Sequence, residues 1–179
     1  MVERFLGPVA GHRALFVVLA VALFFVRLLP LHSSNSGWPG PDFLLCLVCC
    51  WTLRRPDYLP FWLIAAVIFL EDLLMMRPPG LWAVLVVGGA EFLRGRIAIA
   101  RELNFGVEWL LVSLVMAAIF LLNRIVFTLT LLPQIPFETL VVHLLVTVLT
   151  YPLVVGTSIL AFGLRKPAMG EVDSTGRRI

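Results

Sequence analysis

The stretch FGVEWLLVSLVMAAIFLLNRIVFTLTLL, residues 105–132, decides the class of this protein. A helix needs about 20 predominantly apolar residues to cross a bilayer, and this run has residues to spare. Working outward, hydropathy marks five more apolar segments, at 137–164 on one side and at 81–93, 58–76, 42–53 and 14–31 on the other. The breaks between them are rich in turn formers: HSSNSGWPGP, RRPDYLP, RPPG, RGRIAIARELN and PQIPFE. The segments at 42–53 and 81–93 are short for a span, so they must tilt little, thin the bilayer or be shielded by longer neighbours.

Composition agrees. Of the 179 residues 60% are hydrophobic and only 14% charged, with a mean hydropathy of +0.99. A soluble domain carries about 25% charged residues, and a disordered chain lacks this much apolar content. Six spans use about 120 residues and leave about 59 for tails and loops, which is too few for a separate catalytic or nucleotide-binding domain. We therefore expect an all-α integral membrane domain over 1–164 and a flexible cytoplasmic tail over 165–179.

The formal charge of +3 is too small to point to nucleic acid, but the placement of the bases is informative. Arg4, Arg13, Arg54, Arg55, Arg94, Arg96, Arg101, Arg165, Lys166, Arg177 and Arg178 fall on one side of a six-span arrangement. The opposite loops hold only Arg77, while Arg27 and Arg124 lie inside segments. The positive-inside rule then places both termini in the cytoplasm, as an even number of spans requires. The first segment lacks a small-x-small cleavage site before HSSNSGW and carries Arg27, so it reads as a retained helix rather than a secretory signal.

Little in the chain suggests chemistry. Cys46, Cys49 and Cys50 include a C-x-x-C, but they sit in the apolar run DFLLCLVCCWTL and read as small buried residues at a helix contact. They should react slowly with water-soluble thiol reagents. His12, His32 and His143 are scattered; His143, inside the sixth segment, is expected to bond a neighbouring helix, with a ligand role as the other option. There is no Gly-rich phosphate loop and no Ser/His/Asp spacing. Purified alone, the protein should show no hydrolase, transferase or ATPase activity. Gly88, Gly89, Ala90, Ala117 and Ala118 fit close helix packing.

Residues 40–92 carry an ordered pattern. Pro41-Asp42 opens an apolar segment that ends at Trp51. Arg55-Pro56-Asp57 follows, then a helix ending in Glu71-Asp72-Leu73-Leu74, then Pro79-Gly80-Leu81. This order resembles the MreD family of rod shape-determining proteins of Gram-negative bacteria. Length, hydropathy, span number and topology suit that family across the chain. Two positions depart from it: Ile68 stands where many members have glycine, and Glu71 where leucine is usual.

The resemblance implies a non-enzymatic inner-membrane scaffold of the cell-elongation machinery, without cofactor or metal. Its implied partners are MreC, RodA with a penicillin-binding transpeptidase, MreB directly or indirectly, and membrane lipids. The implied fold is similar to the substrate-binding subunits of energy-coupling-factor transporters, so a vitamin-binding subunit of such a transporter is the alternative reading. An intramembrane enzyme would need polar groups converging at matched depth, and too few are present.

The interaction candidates are Arg27, Pro41, Asp42, Trp51, Pro56, Glu71, Asp72, Gly80 and Arg124. Each also has an architectural reading. Pro41 pre-sets a helix start that Asp42 caps. Trp51, with Arg54 and Arg55, fits a headgroup-level ring beside charges in water. Pro79-Gly80 makes a tight turn. Arg27 and Asp72 each lie about 13 residues, or about 20 Å, above the cytoplasmic start of their helices, so an Arg27–Asp72 ion pair is expected. Glu71, about 100° around the helix, would face Arg77, Arg124 or a partner. Finally, Arg94, Arg96 and Arg101 alternate with Ile97 and Ile99, so that loop is expected on the membrane surface.

Overall fold

The break residues and the apolar segments fold as their chemistry requires. The computed structural model describes residues 8–28, 40–97 and 104–162, and among these it is all-helical. Six helices follow in chain order: α1 Pro8–Leu28, α2 Phe43–Arg54, α3 Phe61–Leu74, α4 Leu81–Gly95, α5 Phe105–Leu129 and α6 Phe137–Phe162. A short 3-10 turn, Pro56–Tyr58, joins α2 to α3. The third segment therefore enters its helix three residues later than expected, because Pro60 supplies the N-cap position of α3. The Pro60 carbonyl accepts from the N–H groups of Leu63 at 3.0 Å and Ile64 at 3.3 Å.

Among the described residues, α1, α5 and α6 are the helices long and apolar enough to cross a membrane. The helices α2, α3 and α4 have 12, 14 and 15 residues. At 1.5 Å per residue α2 reaches about 18 Å, well short of the hydrocarbon thickness of about 30 Å. Of the ways to accommodate a short segment, α2 uses shielding: every residue from 44 to 54 is buried.

The helices alternate in direction, so each loop falls at one of two ends. At the end where α1 begins, Arg13 donates to the Asp57 carbonyl at 3.1 Å and Arg94 to the Leu59 carbonyl at 2.6 Å. Arg54, Arg55 and Arg96 terminate helices there too, so this is the basic end. The far end holds the α3–α4 and α5–α6 turns. There Gly80 takes a φ of +90°, which the tight turn requires and which glycine adopts freely. Met76 and Leu131, at φ +51° and +54°, hold the same left-handed region without that freedom, and both side chains are almost fully exposed.

Exposure is distributed in the opposite sense to a soluble protein. Leu110, Leu114, Leu153 and Leu160 point outward, while Asp42, Arg54, Glu71, Asp72 and Glu108 are buried. Lipid-facing leucines around paired interior charges are what a hydrocarbon solvent selects.

Packing corrects several expectations. Trp51 is fully buried against Phe16, with ring centroids 5.6 Å apart, and is not at a headgroup interface. A large aromatic fills the core wherever the helix that carries it has no lipid face. Arg54 is buried as well, not in water. Gly89 and Ala90 do meet a neighbour: a Cβ on Gly89 would lie 2.7 Å from Ile119 Cδ1. Gly88 faces open space and Ala118 is exposed, because each sits about 100° from the contact stripe. Cys46, Cys49 and Cys50 are buried, and the Cys46 thiol donates to the Thr147 carbonyl at 3.4 Å. Ile97 is buried rather than lipid-facing. Arg94 turns inward to Glu91 and Leu59, while Arg96 lies over Phe92 at 4.9 Å. Ile99 and Arg101 of the expected surface loop, and the tail, lie outside the described residues.

Candidate functional site

Pro41 and Asp42 bring the first charged group into place. Asp42 is the N-cap of α2, and its Oδ1 accepts the Leu45 N–H at 3.0 Å, as expected of this pair. The Asp42 backbone N–H donates to Thr147 Oγ1 of α6 at 3.1 Å, and that hydroxyl in turn donates to the His143 carbonyl at 2.7 Å. Arg27, near the end of α1, reaches across with Nη2 to Asp42 Oδ1 at 3.2 Å and with Nη1 to Glu71 Oε1 of α3. One guanidinium thus ties α1, α2 and α3, with α6 held through Thr147.

The expected Arg27–Asp72 pair does not form. Glu71 takes the arginine, and Arg77 lies within electrostatic range of it without forming a contact ion pair. Asp72, turned about 100° away, caps the next helix instead. Its Oδ2 accepts the N–H groups of Gly80 at 3.0 Å and Ala83 at 3.3 Å. A carboxylate at a helix N-terminus satisfies orphan donors and suits the local dipole. Both acids came from the correct depth; only their azimuth separates the two roles.

A second cluster lies at the basic end and escaped sequence reasoning. Arg54 Nη2 meets Glu108 Oε1 of α5 at 3.3 Å, and the Tyr151 hydroxyl of α6 donates to the same oxygen at 3.2 Å. All three side chains are buried. The available signal was Glu108 itself, a carboxylate within an apolar span. Pro56 opens the neighbouring 3-10 turn, with its carbonyl accepting the Leu59 N–H at 3.2 Å.

Arg124 stands apart from both clusters. Its Nη1 donates to the Ile135 carbonyl at 3.2 Å, and its guanidinium lies 5.3 Å from the Phe137 ring centroid. It lines a far-end pocket of about 230 Å³ between the start of α4, the last turns of α5 and the first turns of α6. Arg77 and His143 line it too. His143 meets the Phe120 ring edge-on at 5.1 Å.

Both charge clusters join helices. Asp42 Oδ2, Glu71 Oε2 and Asp72 Oδ1 are buried without a hydrogen-bond partner among the described residues, and the buried Cys50 thiol lies beside Arg54 and Glu108. Among the described residues no group of three or more His, Cys, Asp or Glu side chains is arranged to hold a metal. Comparison with family models, with curated proteins and with solved structures finds no match to this chain.

Proposed function

We propose that this chain is a non-enzymatic scaffold of the bacterial cell-elongation machinery, of the MreD kind. In this reading it spans the inner membrane six times with both termini cytoplasmic. It binds MreC and helps couple MreB to peptidoglycan synthesis by RodA and its transpeptidase partner. The observation that carries the reading is how the motif residues are used. Asp42, Asp72 and Gly80, which carry the resemblance, together with Glu71, which departs from it, are the groups that clamp α1 to α4 together. A pattern of turn and charge residues that all serve helix assembly suits a protein acting through its outer helix faces.

The topology draws support from the clustering of Arg13, Arg54, Arg55, Arg94 and Arg96 at one end. The test is co-expression of the tagged chain with an MreC-like single-span protein. Co-purification from detergent at a fixed stoichiometry is expected. A folded, monodisperse chain that leaves MreC behind overturns the reading.

The far-end pocket favours a second reading, a vitamin-binding subunit of an energy-coupling-factor transporter. A vitamin carried through purification would support it.

A further inference from the structure

The far-end pocket has a one-sided chemistry. Its polar wall is Arg77, Trp82, Asn123, Arg124, Gln134 and His143, and no carboxylate lines it. Elsewhere in the described residues Arg27, Arg54 and Arg94 each pair with an acid. Arg77 and Arg124 form no ion pair there. Both are held by aromatic rings instead, Arg77 at 5.4 Å over Trp82 and Arg124 at 5.3 Å over Phe137. A ring contact of this kind occupies the guanidinium face and leaves N–H groups for an anion, although Arg124 Nη1 already donates to the Ile135 carbonyl at 3.2 Å.

Trp82, the ring under Arg77, is 5% exposed and forms part of the pocket wall. A guest with several acceptor oxygens would meet both arginines together.

We infer that the pocket binds a phosphate-bearing anion, its oxygens shared between Arg77 and Arg124. Arginine suits phosphate because its fork matches two oxygens at once. The volume of about 230 Å³ holds a headgroup rather than a whole drug-sized ligand. Phe127 and Ile135 form an apolar rim, with Leu129 and Leu131 exposed on the same turn. That rim fits acyl chains, which makes a bilayer phospholipid the source that uses the whole surface. A free phosphate ester would use the cationic wall alone. The inference does not depend on the scaffold reading.

The test is native mass spectrometry of the full chain in dodecyl maltoside, titrated with dioleoyl phosphatidylglycerol or with dioleoyl phosphatidylcholine. The wild type should retain one phosphatidylglycerol about tenfold more tightly, as one charge-assisted contact set implies. The double variant R77Q/R124Q should lose that preference. The matched pair R55Q/R96Q, at the basic end, should keep it. Competition by water-soluble sn-glycerol 3-phosphate at the same pocket would support phosphate recognition and identify a soluble source. Equal retention of the two lipids by the wild type, with no effect of glycerol phosphate, overturns the inference without any variant. Equal loss in the two double variants also overturns it, since that is general attraction to a basic protein.

Discussion

The two ends of α2 hold buried charges in different ways. At the basic end Arg54 meets the Glu108 carboxylate, which also accepts from the Tyr151 phenol. At the far end Arg27 serves two carboxylates and remains 24% exposed. Both ends agree with the helix dipole, since an acid caps the N-terminus of α2 and a base closes its C-terminus. They differ in what carries the excess. The backbone N–H groups of α2 and α4 take up negative charge from Asp42 and Asp72, so three acids are held beside one paired arginine. Helix N-termini act here as cations would, whereas at the basic end Arg13 and Arg94 donate to the backbone carbonyls of Asp57 and Leu59.

The largest expected effect lies at the basic end. Arg54→Ala removes the guanidinium that meets the buried Glu108 and should cost about 3–5 kcal/mol, read as a lower unfolding midpoint in detergent. Arg54→Met with Glu108→Leu should recover most of it, because a buried pair often exchanges for apolar residues with little loss. A single variant as stable as the wild type would show that the Arg54–Glu108 contact does not hold these helices together.

Arg27→Gln should cost less, about 1–3 kcal/mol, because the side chain is partly exposed and water screens part of the loss. Its partner is identified by double-mutant cycles. Arg27 with Glu71 should show coupling of about 1 kcal/mol or more, and Arg27 with Asp72 close to none. Strong coupling to Asp72 would restore the pairing that depth alone suggests.

Asp72→Ala removes the oxygen that caps α4 and should cost about 1 kcal/mol. The loss should be local, visible as faster hydrogen exchange at Gly80 and Ala83 before any change at Leu45. The smallest effect should be a gain. Met76→Gly relieves a left-handed residue that costs about 1–2 kcal/mol, less the added freedom of the unfolded chain, for a net stabilisation of about 0.5–1 kcal/mol.

Much of the helical layout was legible because breakers and apolar runs are local signals. Six segments became six helices, and Asp42 and Gly80 took the cap and turn positions their residue types favour. What could not be read was rotation and distance. Glu71 and Asp72 are neighbours in depth, and nothing local says which faces Arg27. Trp51 and Arg54 resemble an interface pair until Phe16 and Glu108, remote in sequence, cover them. The pocket was out of reach for the same reason, since Arg77, Arg124 and His143 come from three separate parts of the chain.

The burial of residues 44–54 of α2 bears on how the chain is made. A span that faces lipid is settled once it leaves the insertion machinery, but α2 is short for a span and carries Asp42 and Arg54 at its ends. The groups that satisfy it arrive later: Glu71 with α3, Glu108 with α5, and Thr147 and Tyr151 only with α6. Until that last helix is synthesised, α2 lacks its final wall. Truncation before residue 137 should therefore yield a chain whose α1–α2 hairpin is recognised by quality-control proteases, so that this helix acts as an internal check on complete assembly.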